Sequence, residues 1–164
     1  TSEAPSSYFE NCFFASNGTT EPACGLLIVG GNNHSVIRCR VIDNTNGIII
    51  HSGMTSHASG IRIVGCDFLE QTTVDIGDGA SGDDSAYVGA GQGVRNLIIA
   101  DNYFGGGVTI PTDFVNIGST DSNGFMTGNR FASATNASAT ITIPAGILYA
   151  TAATEAGWAT ARPA

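Results

Sequence analysis

Short apolar runs of three to six residues alternate with Gly-, Asn- and Asp-rich turns along the whole chain, and the runs recur with a fixed spacing. When Cys12, Cys39, Cys66, Asn102 and Asn129 are aligned, the residue two places on is always large and apolar: Phe14, Val41, Phe68, Phe104 and Phe131. The residue three places back is apolar as well: Phe9, Val36, Ile63, Ile99 and Met126. Successive aligned positions lie 27, 27, 36 and 27 residues apart, so the third interval holds a nine-residue insertion. A period in the twenties predicts a stack of short β-strand coils, each able to bury its apolar face only against its neighbours.

The stretch V-R-N-L-I-I-A-D-N-Y-F (94–104) is the clearest copy of the unit. Leu97 and Ile99 share a face by period-two alternation, Ala100–Asp101 turns the chain, and Asn102 and Phe104 then face the same interior. An inward Asn is costly unless its amide is paired, so Asn102 and Asn129 are expected to bond each other and the turn backbone. Five coils follow, near 8–34, 35–59, 60–93, 94–121 and 122–149. Together they form one β domain over 1–149, each coil with at least two strand runs. In the fourth coil the second run is expected at G-G-G-V-T-I (105–110). The Ala-rich segment 150–164, with Trp158, reads as a C-terminal cap or a subunit contact. The N-terminal end shows no cap, since Phe9 and Cys12 are already in register, and further chain or a partner is expected to cover it.

This pattern, I99-I-A-D-N102-Y-F104 with V108-T-I110 and I63-V-G-C66-D-F68 with V74-D-I76, resembles the right-handed parallel β-helix superfamily over roughly residues 8–145. The resemblance implies a right-handed parallel β-helix of about five coils. Its members include polysaccharide lyases, polygalacturonase-like hydrolases, epimerases and bacteriophage virion proteins. The absence of lysine, the small-residue composition and the I-P-A-G ending are most similar to phage structural proteins. That resemblance implies a homotrimer on the virion surface, touching other virion proteins or a surface glycan. The alternatives are a lyase or hydrolase fragment and an adhesin module that binds a glycan or protein.

Charge narrows the partners. With 14 acidic residues against 6 basic ones, all arginine, the net charge is −8, which disfavours a nucleic-acid backbone as ligand. No apolar run approaches the ~18 residues of a membrane span. No signal peptide is evident and the chain begins at Thr1, so a processed product or a fragment is expected. Cys12, Cys39 and Cys66 share one repeat position and are expected to stack as buried thiols. A disulfide between adjacent coils, or from Cys12 to Cys24, stays open.

Candidate chemistry is thin. One place after the aligned slot lie Phe13, Arg40, Asp67, Tyr103 and Arg130, an outward row with one carboxylate and therefore no acid–base pair. Asp75 is expected to point outward between Val74 and Ile76, and Asp78 to open a loop. No cofactor, metal site or catalytic set is assigned. The acidic loop 77–93 matches no calcium-binding spacing, and Ser81 and Ser85 have no companion histidine. The longest loops, 51–59 and 77–93, are expected on one side of the stack. They would present His51, His57, Asp83, Asp84 and Tyr87 as contacts for a ligand or partner.

Overall fold

The computed structural model describes residues 6–16, 23–51, 58–78, 93–105, 111–131 and 140–150. All regular structure among them is β, and every strand pairing is parallel.

The strands sort into three stacked sheets. The first holds β1 (Tyr8–Glu10), β4 (Ser35–Ile37), β8 (Arg62–Val64), β12 (Leu97–Ala100), β15 (Gly124–Thr127) and β18 (Ile147–Ala150), in that order. The second holds β2 (Phe13–Ala15), β5 (Arg40–Ile42), β9 (Asp67–Leu69), β13 (Tyr103–Phe104) and β16 (Arg130–Phe131). The third holds β3 (Cys24–Val29), β6 (Asn46–His51), β10 (Val74–Asp78), β14 (Asp113–Asn116) and β17 (Thr140–Thr142). A small fourth pairing joins β7 (Ala58–Ser59) to β11 (Val94–Arg95). Each pass of the chain contributes one strand to each large sheet, an order compatible with a parallel β-helix or solenoid.

The aligned positions pair one-to-one. Phe9, Val36, Ile63, Ile99 and Met126 stand in register in the first sheet, and Phe14, Val41, Phe68, Phe104 and Phe131 in the second. Both rows line a continuous apolar core. Phe68, Phe104 and Phe131 stack face to face at 5.0 Å, with Phe114 tilted against the last two at 6.1 and 5.4 Å. Such ring pairs add about 0.5–1.5 kcal/mol beyond burial.

Between the first and second sheets the chain bends through a left-handed residue in every repeat: Asn11, Arg38, Gly65, Asp101 and Gly128, with φ between 49° and 66°. Gly, Asn and Asp tolerate this conformation, while Arg38 is held there against its preference. At Gly128 an added Cβ would lie 2.1 Å from Asp101 Oδ1, so the column is also tight.

Two features go beyond the sequence expectation. The third-sheet strand of the fourth repeat is Asp113–Asn116, paired with β10 and β17, while the run expected at 105–110 has residues 106–110 outside the described residues. In addition, β18 adds a sixth strand to the first sheet and places Tyr149 on Met126, only 23 residues on. The expected C-terminal cap, including Trp158, lies outside the described residues beyond Ala150.

Candidate functional site

The most built-up polar arrangement is the slot that follows each left-handed corner. There the carbonyl accepts the backbone N–H of the next repeat: Cys12 O from Arg40, Cys39 O from Asp67, Cys66 O from Tyr103 and Asn102 O from Arg130, at 2.8–3.0 Å. The slot's own N–H is met instead by the slot side chain of the following repeat. Cys12 N–H donates to Cys39 Sγ and Cys39 N–H to Cys66 Sγ, both at 3.4 Å. Cys66 N–H donates to Asn102 Oδ1 at 2.8 Å and Asn102 N–H to Asn129 Oδ1 at 3.0 Å.

The same side chains reach back as donors. Cys39 Sγ contacts Phe9 O and Cys66 Sγ contacts Val36 O, while Asn102 Nδ2 donates to Ile63 O and Asn129 Nδ2 to Ile99 O. Asn102 Nδ2 also donates to Asn129 Oδ1 at 3.0 Å. Cysteine and asparagine are thus equivalent in the slot, since each supplies an acceptor in one direction and a donor in the other. The thiols are more than apolar filler. None of the four cysteines, all among the described residues, forms a disulfide. Burial raises the Cys39 thiol and pushes Cys66 up to about 12, which keeps both protonated as donors.

A second interior ladder, not expected from the sequence, occupies the corner before the third sheet. Asn44 Nδ2 donates to Ile42 O and Phe14 O, and Gln71 Nε2 to Val41 O at 2.8 Å. The signal was available: 44 and 71 are one repeat apart and both carry side-chain amides.

The outward row of the second sheet forms as the spacing predicts, with Phe13, Arg40, Asp67, Tyr103 and Arg130 paired in line. Arg40 Nη2 lies 3.7 Å from Asp67 Oδ2, with the two side chains 55% and 47% exposed. An ion pair this open contributes under about 1 kcal/mol. A second exposed pair joins Arg38 to Glu10 across the neighbouring corner.

Three acidic or basic residues sit elsewhere than expected. His51 is the last residue of β6 and buried, with 7% exposure, and does not stand on an exposed loop. Its carbonyl accepts Gly30 N–H at 2.7 Å. Asp78 ends β10, also buried, and its carboxylate accepts the backbone N–H groups of Gly118 and Ser119 at 3.0 and 2.9 Å. It ties one repeat to the next, and the segment expected to follow it as a loop, 79–92, lies outside the described residues.

Asp75 is fully buried, contrary to its expected outward alternation. The register runs evenly past it, from Val74↔Asn46 to Ile76↔Ile48 and, on the other side, from Val74↔Asp113 to Ile76↔Val115. All five residues of β10 are buried, so both faces of this strand are covered, and the register shift of the sheet lies further along, between β14 and β17. Neither Asp75 oxygen has a hydrogen-bond partner among the described residues, and burial alone lifts its carboxyl well above the ordinary range.

His57, Asp83, Asp84 and Tyr87 lie outside the described residues. Among the described residues no group of three or more His, Cys, Asp or Glu side chains could hold a metal ion, and no helix is long and apolar enough to cross a membrane. What the described surface offers is a line of aromatic, cationic and anionic groups at one-strand intervals, with Asp67 its single carboxylate. No protein-family model, curated protein or solved structure matches the chain.

Proposed function

We propose that the chain is a short right-handed parallel β-helix serving as a structural protein of a bacteriophage virion. It would act in a tail spike, tail fibre or capsid decoration, as a homotrimer at the virion surface. One observation carries this reading: a recurring set of interior polar side chains is spent on backbone groups of adjacent repeats. The Cys/Asn slot, the Asn44 and Gln71 amides and the Asp78 carboxylate all hold the stack together. This is scaffold chemistry. A glycoside hydrolase of the usual kind requires two carboxylates across one bond, and the second-sheet row supplies Asp67 alone.

Association is supported by the outer face of the first sheet. Tyr8, Ser35, Arg62, Ile98, Phe125 and Leu148 stand in one line across it. Tyr8, Phe125 and Leu148 are exposed, Leu148 to 73%. Three such faces turned toward a common axis would leave water together. Contacts to other virion proteins or to a surface glycan would fall to the segments 52–57 and 79–92, outside the described residues, which carry His57, Asp83, Asp84 and Tyr87.

Sedimentation and light scattering test the assembly. The expected particle is three times the 16.7 kDa chain, and a monomer that persists on concentration sinks the trimer. Incubation with anionic polysaccharides is expected to release no new chain ends. Release that disappears in Asp67→Asn would install the lyase or hydrolase reading instead.

A further inference from the structure

His34 is buried, and both of its ring nitrogens are engaged by backbone atoms. Ser7 N–H donates to Nδ1 at 3.1 Å, and Nε2 lies 3.2 Å from Gly30 O. A backbone N–H can only donate and a carbonyl can only accept. The ring is therefore the neutral tautomer that carries its proton on Nε2. Ser7 is tied to the same place a second time, its carbonyl accepting Ser35 N–H at 2.9 Å. Ser7 leads directly into β1, which among the described residues pairs on one side only, with β4.

We propose that His34 is an acid-sensitive latch on this terminal strand. A proton added at Nδ1 sets an N–H against the Ser7 N–H, so an attractive contact becomes a donor–donor conflict. It also leaves an imidazolium in a buried corner with one acceptor for two protons. The cheapest relief is for Ser7 to swing away, which draws β1 off β4 and uncovers the β4 edge. Terminal segments held on one side open at the lowest cost in a stacked fold.

The surroundings supply little to hold the charge. On β1 the titratable groups are Tyr8, which is exposed, and Glu10, which is paired to Arg38; on β8 there is Arg62, also exposed. β4 contributes none. From the third sheet come Cys24 of β3 and His51 of β6, the latter bound through its carbonyl to Gly30 N–H. His34 itself follows Gly30–Asn33 in the column of Ile61 and Leu97, both fully buried. The inference concerns the fold and does not depend on the virion reading.

Hydrogen exchange of the full chain, read by NMR and corrected for intrinsic rates, tests the latch. Opening at the Ser7 and Asn11 amides is expected to rise about tenfold from about pH 7.5 to about pH 5, with amides of β8 and β12 unchanged. His34→Asn keeps an acceptor in the place of Nδ1 but cannot titrate, and should remove that rise. His51→Gln should leave it intact. The wild-type 15N spectrum gives an independent reading, with His34 bare at Nδ1 and protonated at Nε2 at neutral pH. The proposal is overturned by the opposite tautomer, by Ser7 protection that ignores pH, by a rise that survives in His34→Asn, or by one lost in His51→Gln.

Discussion

Cys66 donates its backbone N–H to Asn102 Oδ1 at 2.8 Å, and there a column of thiols passes into a column of amides without a break in the ladder. The join coincides with the 36-residue interval, so the nine extra residues leave the stacked positions in register. The side chain of Asn102 serves three partners at this join: Cys66 N, Ile63 O and Asn129 Oδ1.

Replacing Asn102 by Leu should therefore leave a buried N–H and a buried carbonyl unmet, at a cost of about 1–3 kcal/mol. Asn102→Cys should cost less, since a thiol already fills the same role at Cys39 and Cys66. Denaturant melts of the two variants provide the comparison. Equal stability of wild type and the Leu variant would show that the slot is not needed.

Phe104 is fully buried, stacked between Phe68 and Phe131 and touched by Phe114. Phe104→Ala should lose about 3–5 kcal/mol, because neighbours fixed in a stack collapse poorly into the space left. Chemical denaturation measures it. A loss below about 1 kcal/mol would mean that the sheets close over the gap.

Asp75 predicts a pH dependence of definite sign. Its folded-state carboxyl is raised by burial, so the folded chain retains a proton that the unfolded chain releases near pH ~3.9. That contribution is fully present below the unfolded value. It is lost as pH rises from there until the buried group itself ionises, at about 1.4 kcal/mol per pH unit. Asp75→Asn should flatten this descending limb. The slope of stability against pH, compared in the two proteins, decides it.

Alkylation should rank the thiols. Cys39 and Cys66 are buried and raised, Cys66 to about 12, while Cys12 and Cys24 are partly exposed. Iodoacetamide at neutral pH should modify Cys12 and Cys24 first, and Cys66 only on unfolding. Mass spectrometry of timed samples would show the order, and early labelling of Cys66 would contradict its place in the interior.

The corner, slot and core rows were legible because each depends on residues a fixed distance apart, and the repeat shows that distance directly. The outward row followed from the same spacing. Asp75 was expected in the open because alternation tells which face a residue takes and not whether that face is covered, and nothing in V-D-I-G-D signals that every position of β10 is buried. His51 closes a strand whose apolar run, I-I-I, gives no hint of one more buried residue. Strand β14 was not read from D-F-V-N, which holds only two apolar residues, and its pairing with β10 gives it its place in the third sheet. The Asn44–Gln71 pair could have been found by applying the period to amides as well as to apolar residues.

Because the slot accepts either chemistry, the length of the protein is adjustable in whole steps. Excising residues 40–66, one 27-residue interval, would set Cys39 N–H against Asn102 Oδ1, the same donor and acceptor types that now meet at Cys66 and Asn102. The molecule is in this sense a ruler marked once per repeat, whatever the number of residues between marks, and its graduations are the corners rather than the strands between them.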